Sequence, residues 1–332
     1  MRIVADENIP FLAGRIPDAD LVMMPASAID REAVRDADAL ITRTRTRCDA
    51  SLLEGSKVRL VATATIGTDH IDLPWCAAND IIVRNAPGCN APGVALYVWA
   101  SLLRNGFDPE GSTVGVIGCG NVGGIMAEWG ERLGARVLVC DPPRQQAGMS
   151  DHEYLPLDEV LRNSDAVTLH TPLTRSGEYP TFHMINDTSL SHLKKGALFV
   201  NAARGEVLET ASLCAAIEDG RIRRAIIDTW EGEPHVDRRL LSLSDVATCH
   251  IAGYSVEGKQ RATRMALEAI EEVLGTKVDT SGLAPAYKEP SCLSADVITA
   301  AYDPSVMTAA MKAAPDKFEY LRNTYHLHKE II

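Results

Sequence analysis

Short apolar runs separated by helical patterns recur along this chain, and that alternation limits its architecture more than any other feature. In the amino-terminal part the runs fall at 2–5, 20–23, 37–42, 59–62 and 80–84, with amphipathic segments such as 29–35 and 71–78 between them. A second series follows at 113–117, 136–140, 165–170, 197–201, 224–228 and 245–249, with helices at 122–133 and 210–219. Strands separated by helices pair in parallel through crossovers, so the pattern predicts doubly wound α/β architecture built twice. A length of 332 residues suffices for two such cores.

Two long helical patterns, 91–103 and 256–274, flank the second series. They can carry the chain into the second domain and back, which makes the first domain discontinuous. The expected division is residues 1–90 with 254–280, then 91–253, then a carboxyl-terminal segment 281–332. Residues 281–290, rich in Pro, Gly and Ala, read as a linker. The last forty residues hold two helical stretches and too little apolar surface for a core of their own.

The formal charge of −12 argues against a general nucleic-acid binder, which needs a basic face to displace counterions from phosphates. The longest apolar stretch, 94–103, is about half the ~20 residues of a membrane helix, and the amino terminus has no signal-peptide core. The eight cysteines contain no C-x-x-C pair. A cytoplasmic protein without a membrane or metal site is the expectation. No histidine pair has H-E-x-x-H or comparable ligand spacing.

Gly118-Cys119-Gly120-Asn121-Val122-Gly123 is a G-x-G-x-x-G between a predicted strand and a predicted helix, the context that motif requires. Gly118 permits the tight turn, Gly120 admits a pyrophosphate to the backbone, and Gly123 lets helix and strand pack closely. The helix amino terminus, at Asn121 and Val122, attracts the negative charge. Asp141 lies eighteen positions past Gly123, after the next strand. A carboxylate there accepts hydrogen bonds from the ribose hydroxyls and repels a 2′-phosphate, which favours NAD over NADP. Arg144 nearby weakens that discrimination. The plainer alternative is a glycine turn with a strand-end aspartate facing water.

Three further segments end strands of the second series: Asn201-Ala202-Ala203-Arg204-Gly205, Asp228 to Pro234, and Cys249 to Tyr254. Oxidation of a secondary alcohol needs a base for the hydroxyl proton and a cation for the oxygen or an adjacent carboxylate. His250 suits the first task, with Glu233 to orient it, and Arg204 the second. Singly, each has a plainer role open to it: a surface cation, a loop carboxylate, a capping histidine. Their shared position at carboxyl ends of strands favours a site.

The glycine fingerprint, His170-Thr171-Pro172-Leu173, the N-x-x-R-G segment and the paired Glu233 and His250 resemble the D-isomer-specific 2-hydroxyacid dehydrogenase family. So do Asp6-Glu7-Asn8, residues 63–70, residues 86–90, residues 140–144 and residues 250–259. The resemblance implies a flavodoxin-like substrate domain, a Rossmann NAD domain and a carboxyl-terminal dimerisation segment shorter than the family's. It implies oxidation of 4-phospho-D-erythronate to 2-oxo-3-hydroxy-4-phosphobutanoate by a homodimer. It carries Arg204, Glu233 and His250 over as the catalytic set. Cofactor contacts fall on Asp141, Thr171, Ala202, Ala203, Arg204, Asp228 and Gly253, and substrate contacts on Thr44, Thr65 and Tyr254. Other expectations stay open: another 2-hydroxy acid (3-phosphoglycerate, hydroxypyruvate or glyoxylate) as substrate, or an NAD-sensing regulatory protein.

Residues 42–47 alternate threonine and arginine, so if extended they set three guanidiniums on one face and hydroxyls on the other. Arginine forks suit a phosphate or carboxylate; a solvated edge strand explains the pattern equally well. Arg43 and Thr44 are the substrate-binding candidates ahead of Arg45 or Arg47.

Overall fold

In the computed structural model, which describes residues 1–331, five parallel strands form the first sheet: β1 (Arg2–Asp6), β2 (Asp20–Met24), β3 (Ala39–Thr42), β4 (Leu60–Thr63) and β5 (Ile82–Arg84). Their order is β2-β1-β3-β4-β5, the flavodoxin-like arrangement. The central strands β1, β3 and β4 are almost wholly buried, as a parallel sheet covered on both faces requires. One face packs Ile3, Ile41, Leu60 and Ala62 against Ala262, Ala266, Leu267 and Ile270 of helix Val256–Leu274. That helix starts at Ser255, whose Oγ accepts the Gly258 N–H at 3.0 Å, and ends at Gly275 in left-handed conformation (φ 69°).

Beyond β3 the chain departs from the extended reading of 42–47. The strand ends at Thr42, and the Thr46 amide turns back to the Arg43 carbonyl at 3.5 Å. Thr46 is buried while Thr44, Arg45 and Arg47 are exposed, so threonines and arginines do not segregate to opposite faces. Arg43 Nε donates to the fully buried Asp6 carboxylate at 3.0 Å, and Arg47 pairs with Asp49. A buried carboxylate needs a cation more than a sheet edge needs a row of them.

The second unit comprises Ala91–Tyr254 and Glu289–Ile332, the first Met1–Asn90 and Ser255–Lys288. Its parallel strands are β6 (Thr113–Ile117), β7 (Arg136–Cys140), β8 (Ala166–Leu169), β9 (Ala197–Asn201), β10 (Ile222–Ile227) and β11 (Val246–Ala247), in the order β11-β10-β9-β8-β6-β7. β11, expected over 245–249, pairs through only Val246 and Ala247, as an edge strand with one neighbour. Outside β7 a further parallel strand is reduced to one bridge, Val139 to Tyr154. Helix Ala91–Arg104 is buried from Ala91 through Leu102, which its uniformly apolar sequence demands.

The carboxyl-terminal part divides between the units rather than standing apart from 281 onward. Three helices, not two, follow in the second unit: Ala295–Ala301, Ser305–Ala313 and Phe318–Asn323. They bury Ile298, Tyr302, Met311 and Phe318. Arg104 donates to the Tyr302 carbonyl, and Ala247 N–H to Thr308 Oγ1, so the segment borrows the core it cannot build itself.

All eight cysteines are free thiols, seven of them buried, and Cys292 is exposed. Among the described residues no helix is long and apolar enough to cross a membrane.

Candidate active site

The strand order of the second sheet reverses between β6 and β8, where ligands of open α/β sheets bind. The loops after those strands carry Gly118 and His170-Thr171. Gly118 is left-handed (φ 88°), and a Cβ on it would sit 2.9 Å from the His170 carbonyl group. A Cβ on Gly123 would fall 1.9 Å from the Gly118 carbonyl oxygen, so only glycine lets this helix start so near its strand. Gly120, by contrast, faces open space, and Asn121 and Val122 begin helix Asn121–Arg132. Beside this loop the Thr171 hydroxyl is buried without a partner. An open glycine cradle, a helix start and an unmet hydroxyl fit a dinucleotide.

Asp141 ends β7 with both oxygens engaged. Oδ2 accepts the Cys119 N–H at 2.7 Å and Oδ1 the Arg144 N–H at 3.1 Å. The carboxylate thus braces the glycine loop and caps the following helix, while keeping lone pairs for a ribose. Arg144 turns to Asp151 and Tyr154: Nη2 to Asp151 Oδ2 is 2.6 Å, Nε to Tyr154 Oη 3.0 Å, and Tyr154 Oη to Asp151 Oδ1 2.6 Å. Hydrogen bonds from Tyr154 and Arg144 hold the Asp151 carboxyl down to about 2.

After β9, Asn201 organises the turn bearing Ala202, Ala203 and Arg204. Its Oδ1 accepts the Ala203 N–H at 3.1 Å and its Nδ2 donates to the Arg204 carbonyl at 3.0 Å. The half-buried Arg204 side chain donates to the Ala203 carbonyl at 2.8 Å.

After β10, the fully buried Trp230 donates from Nε1 to the Thr248 carbonyl at 2.7 Å and roots the loop 228–234. Glu231 turns one way, to His183 Nε2 at 2.5 Å and the Thr210 amide. Glu233 turns the other way, its Oε1 lying 2.6 Å from His250 Nδ1 and its Oε2 accepting the Trp230 N–H at 3.3 Å. Burial raises the Glu233 carboxyl, but the hydrogen bond and charge of His250, with the charge of Arg322, outweigh it and leave it below the ordinary carboxylate range.

His250 itself is left-handed (φ 58°), uncommon for a residue other than glycine, and is held so by Asp228. The Asp228 carbonyl accepts the His250 N–H at 2.8 Å. The buried Asp228 carboxylate accepts Thr248 Oγ1 and the amides of Ile251 and Ala252, all within 2.9 Å. Asp228, read from the resemblance as a cofactor contact, is thus committed first to the His250 loop, which continues to Gly253 and Tyr254. Tyr97 extends the network, its hydroxyl 2.7 Å from Thr248 Oγ1.

Arg43, Thr44 and Thr65 belong to the first unit. Thr42 and Thr63 pair in register, so the loops bearing Thr44 and Thr65 leave the same edge of adjacent strands. Thr65 Oγ1 lies 2.7 Å from Thr63 Oγ1 and donates to the Gly67 carbonyl at 3.2 Å. Sequence reasoning missed Arg322, whose Nε reaches the Tyr254 hydroxyl at 3.1 Å, and the Thr248–Tyr97 support. Neither lies in a motif, though the buried threonine two residues before His250 is a signal in itself. No cluster of metal-ligating residues occurs among the described residues.

Residues 94–252 match the family described as D-isomer specific 2-hydroxyacid dehydrogenase, NAD binding domain. The chain is 40% identical to an erythronate-4-phosphate dehydrogenase of Bacteroides fragilis, over 99% of this chain and 97% of that protein. A Pseudomonas syringae enzyme of the same name is 46% identical over 81% of this chain and 72% of its own length. The expected shortening of the carboxyl-terminal region is therefore not seen against the Bacteroides relative. In fold the chain is similar to an NAD+-bound 3-phosphoglycerate dehydrogenase of Entamoeba histolytica, with a TM-score of 0.68 and 23% identity over 87% of this chain and 99% of that one. With a fingerprint loop, a Glu–His pair and an arginine turn along one sheet edge, and near-full-length similarity to named enzymes, the chain belongs to the erythronate-4-phosphate dehydrogenases of the D-isomer-specific 2-hydroxyacid dehydrogenase family.

Proposed function

We propose that this chain catalyses the NAD-dependent oxidation of 4-phospho-D-erythronate to 2-oxo-3-hydroxy-4-phosphobutanoate, a step of vitamin B6 biosynthesis. The observation carrying this reading is the 2.6 Å bond between His250 Nδ1 and Glu233 Oε1, on the sheet edge that also bears Arg204. An Nδ1–H donated to the carboxylate leaves the Nε2 lone pair to take the substrate's hydroxyl proton. Glu233 then balances the imidazolium. Arg204 holds the substrate carboxylate and the reacting oxygen, whose charge changes as the C–H bond breaks. Gly118, Gly120, Asn121, Val122, Gly123, Asp141, Thr171, Ala202, Ala203, Arg204, Asp228 and Gly253 would hold NAD, which when bound would supply the hydride acceptor. Arg43, Thr44, Thr65 and Tyr254 are proposed as substrate contacts, with the Asp6 pairing leaving Arg43 only its remaining N–H groups for a phosphate.

The protein is further proposed to act as a homodimer in the cytoplasm. Exposed Val306 and Tyr320 on the carboxyl-terminal helices support the first, and eight unpaired thiols the second. Turnover of 4-phosphoerythronate with NAD and a 2-oxo acid acceptor tests the reaction, since an acceptor recycles a tightly held cofactor. A preference for non-phosphorylated 2-hydroxy acids overturns the substrate assignment, and a monomer by light scattering overturns the dimer.

A further inference from the structure

We propose that Arg322, on helix Phe318–Asn323, is a positioning residue for the Glu233–His250 pair: it pins the Tyr254 hydroxyl, four residues past His250, and its charge acts on the Glu233 carboxylate. The inference rests on His250 being the proton acceptor of the reaction proposed above.

The half-buried guanidinium has five N–H donors and spends Nε on Tyr254 Oη at 3.1 Å. Its Cζ lies 5.8 Å from the centre of the Tyr254 ring. On another side, Tyr325 meets Tyr254 edge-on, with ring centres 6.3 Å apart. Tyr325 is itself tied by its hydroxyl to Tyr302 at 3.4 Å and His328 Nδ1 at 3.2 Å. Tyr254 is thereby held by two side chains of the carboxyl-terminal segment, while its own amide closes on the Ile251 carbonyl at 2.8 Å.

The same guanidinium is part of the charge environment of the catalytic loops. Glu233 faces His250, Arg322 and the Trp230 N–H. Arg322 faces Tyr254, Glu233 and Glu319. Cys249, beside His250, is acted on by Asp228, Arg322 and Glu319. A fixed positive charge there opposes addition of a further proton to the Glu233–His250 pair. It thus keeps the pair ready to accept one from substrate at lower pH. Half-burial keeps that effect from being screened as an exposed charge would be.

NMR titration of the His250 ring in the ligand-free protein reads the pair directly and requires no turnover. Arg322→Gln is expected to move the pair's midpoint upward by about half a pH unit, the size of one charge acting through a partly solvated path. In steady state its kcat/KM loss is then expected to be several-fold at acidic pH and to shrink as pH rises. Arg322→Lys keeps the charge and is expected to titrate like the parent. Arg322→Met, which keeps the apolar stem, replaces the Gln variant if that one does not fold. A folded neutral variant with an unmoved midpoint overturns the proposal, and so does a Lys variant displaced as far as a neutral one. If the midpoints move as expected while no 2-hydroxy acid is oxidised, the positioning role stands and the reaction assigned to the site falls.

Discussion

Gly205 packs so closely on Trp230 that a Cβ would sit 2.0 Å from the Trp230 carbonyl carbon and oxygen, and 2.3 Å from the Glu231 amide nitrogen. The loops after β9 and β10 therefore interlock through one hydrogen-sized side chain. Gly205 adjoins Arg204, and Trp230 roots the loop that ends in Glu233. This contact ties the turn bearing Arg204 to the loop bearing Glu233.

Gly205→Ala is accordingly expected to force the two loops apart. A displacement near ~1 Å at reacting groups costs about a hundredfold in rate, and overpacking typically costs about 1–3 kcal/mol of stability. Steady-state kinetics with a thermal melt checks both. A variant within threefold of the parent in kcat/KM would show that the loops do not set the catalytic spacing.

His250→Ala removes the proposed proton acceptor and leaves the glycine loop untouched. Turnover is expected to fall by about a hundredfold to ten-thousandfold, with NADH binding by fluorescence within twofold of the parent. Glu233→Gln is expected to lose less, since the imidazole stays in place but its cation is no longer balanced. Activity of the Ala variant within tenfold of the parent removes His250 from its role.

Arg144 has its guanidinium drawn into a triangle with Asp151 and Tyr154, which leaves it fewer N–H groups for a 2′-phosphate. Asp151→Asn weakens that closure and is expected to tighten NADPH binding several-fold in a fluorescence titration, with NADH little changed. Unchanged NADPH affinity would mean that Asp141 alone sets the preference.

Much of this was legible in the primary structure, for a definite reason. Parallel strands are buried on both faces, so β6, β7 and β9 stand out as apolar runs with the bounds read from sequence. The glycines, Arg204, Glu233 and His250 follow strand ends, where a site in such a sheet must lie. The reading failed where a tertiary partner decided the matter. The buried Asp6 claims Arg43 and the chain turns, although 42–47 alternates like a strand. Arg322 reaches the site from seventy-two positions beyond His250, and no local pattern announces a contact at that separation. The anchoring of the His250 loop by Asp228 has no local signature, because its donors lie twenty and more residues away.

Lowering the pH is expected to weaken the fold through His170. Its ring, bonded to Thr168 Oγ1 at 2.9 Å, is pushed by desolvation down to about 3. In the unfolded chain the group protonates near its ordinary value, about 6.5. Between those values the unfolded chain binds the extra proton, so stability is full above about pH 6.5 and declines as pH falls toward 3. One such group adds a slope of up to about 1.4 kcal/mol per pH unit. Urea unfolding at pH 7 and pH 5 should show a smaller difference for His170→Gln than for the parent; equal differences would refute the assignment.

The distribution of thiols makes the protein its own reporter. Burial drives Cys48, Cys140 and Cys249 up to about 12 and Cys119 to about 11, so these sulfurs are neither exposed nor ionised in the native state. Cys292 alone is exposed. An alkylating reagent should attach once to the folded chain, at Cys292. Each later attachment then counts an opening of one particular core: Cys48, Cys76 and Cys89 report on the first unit, and Cys119, Cys140, Cys214 and Cys249 on the second.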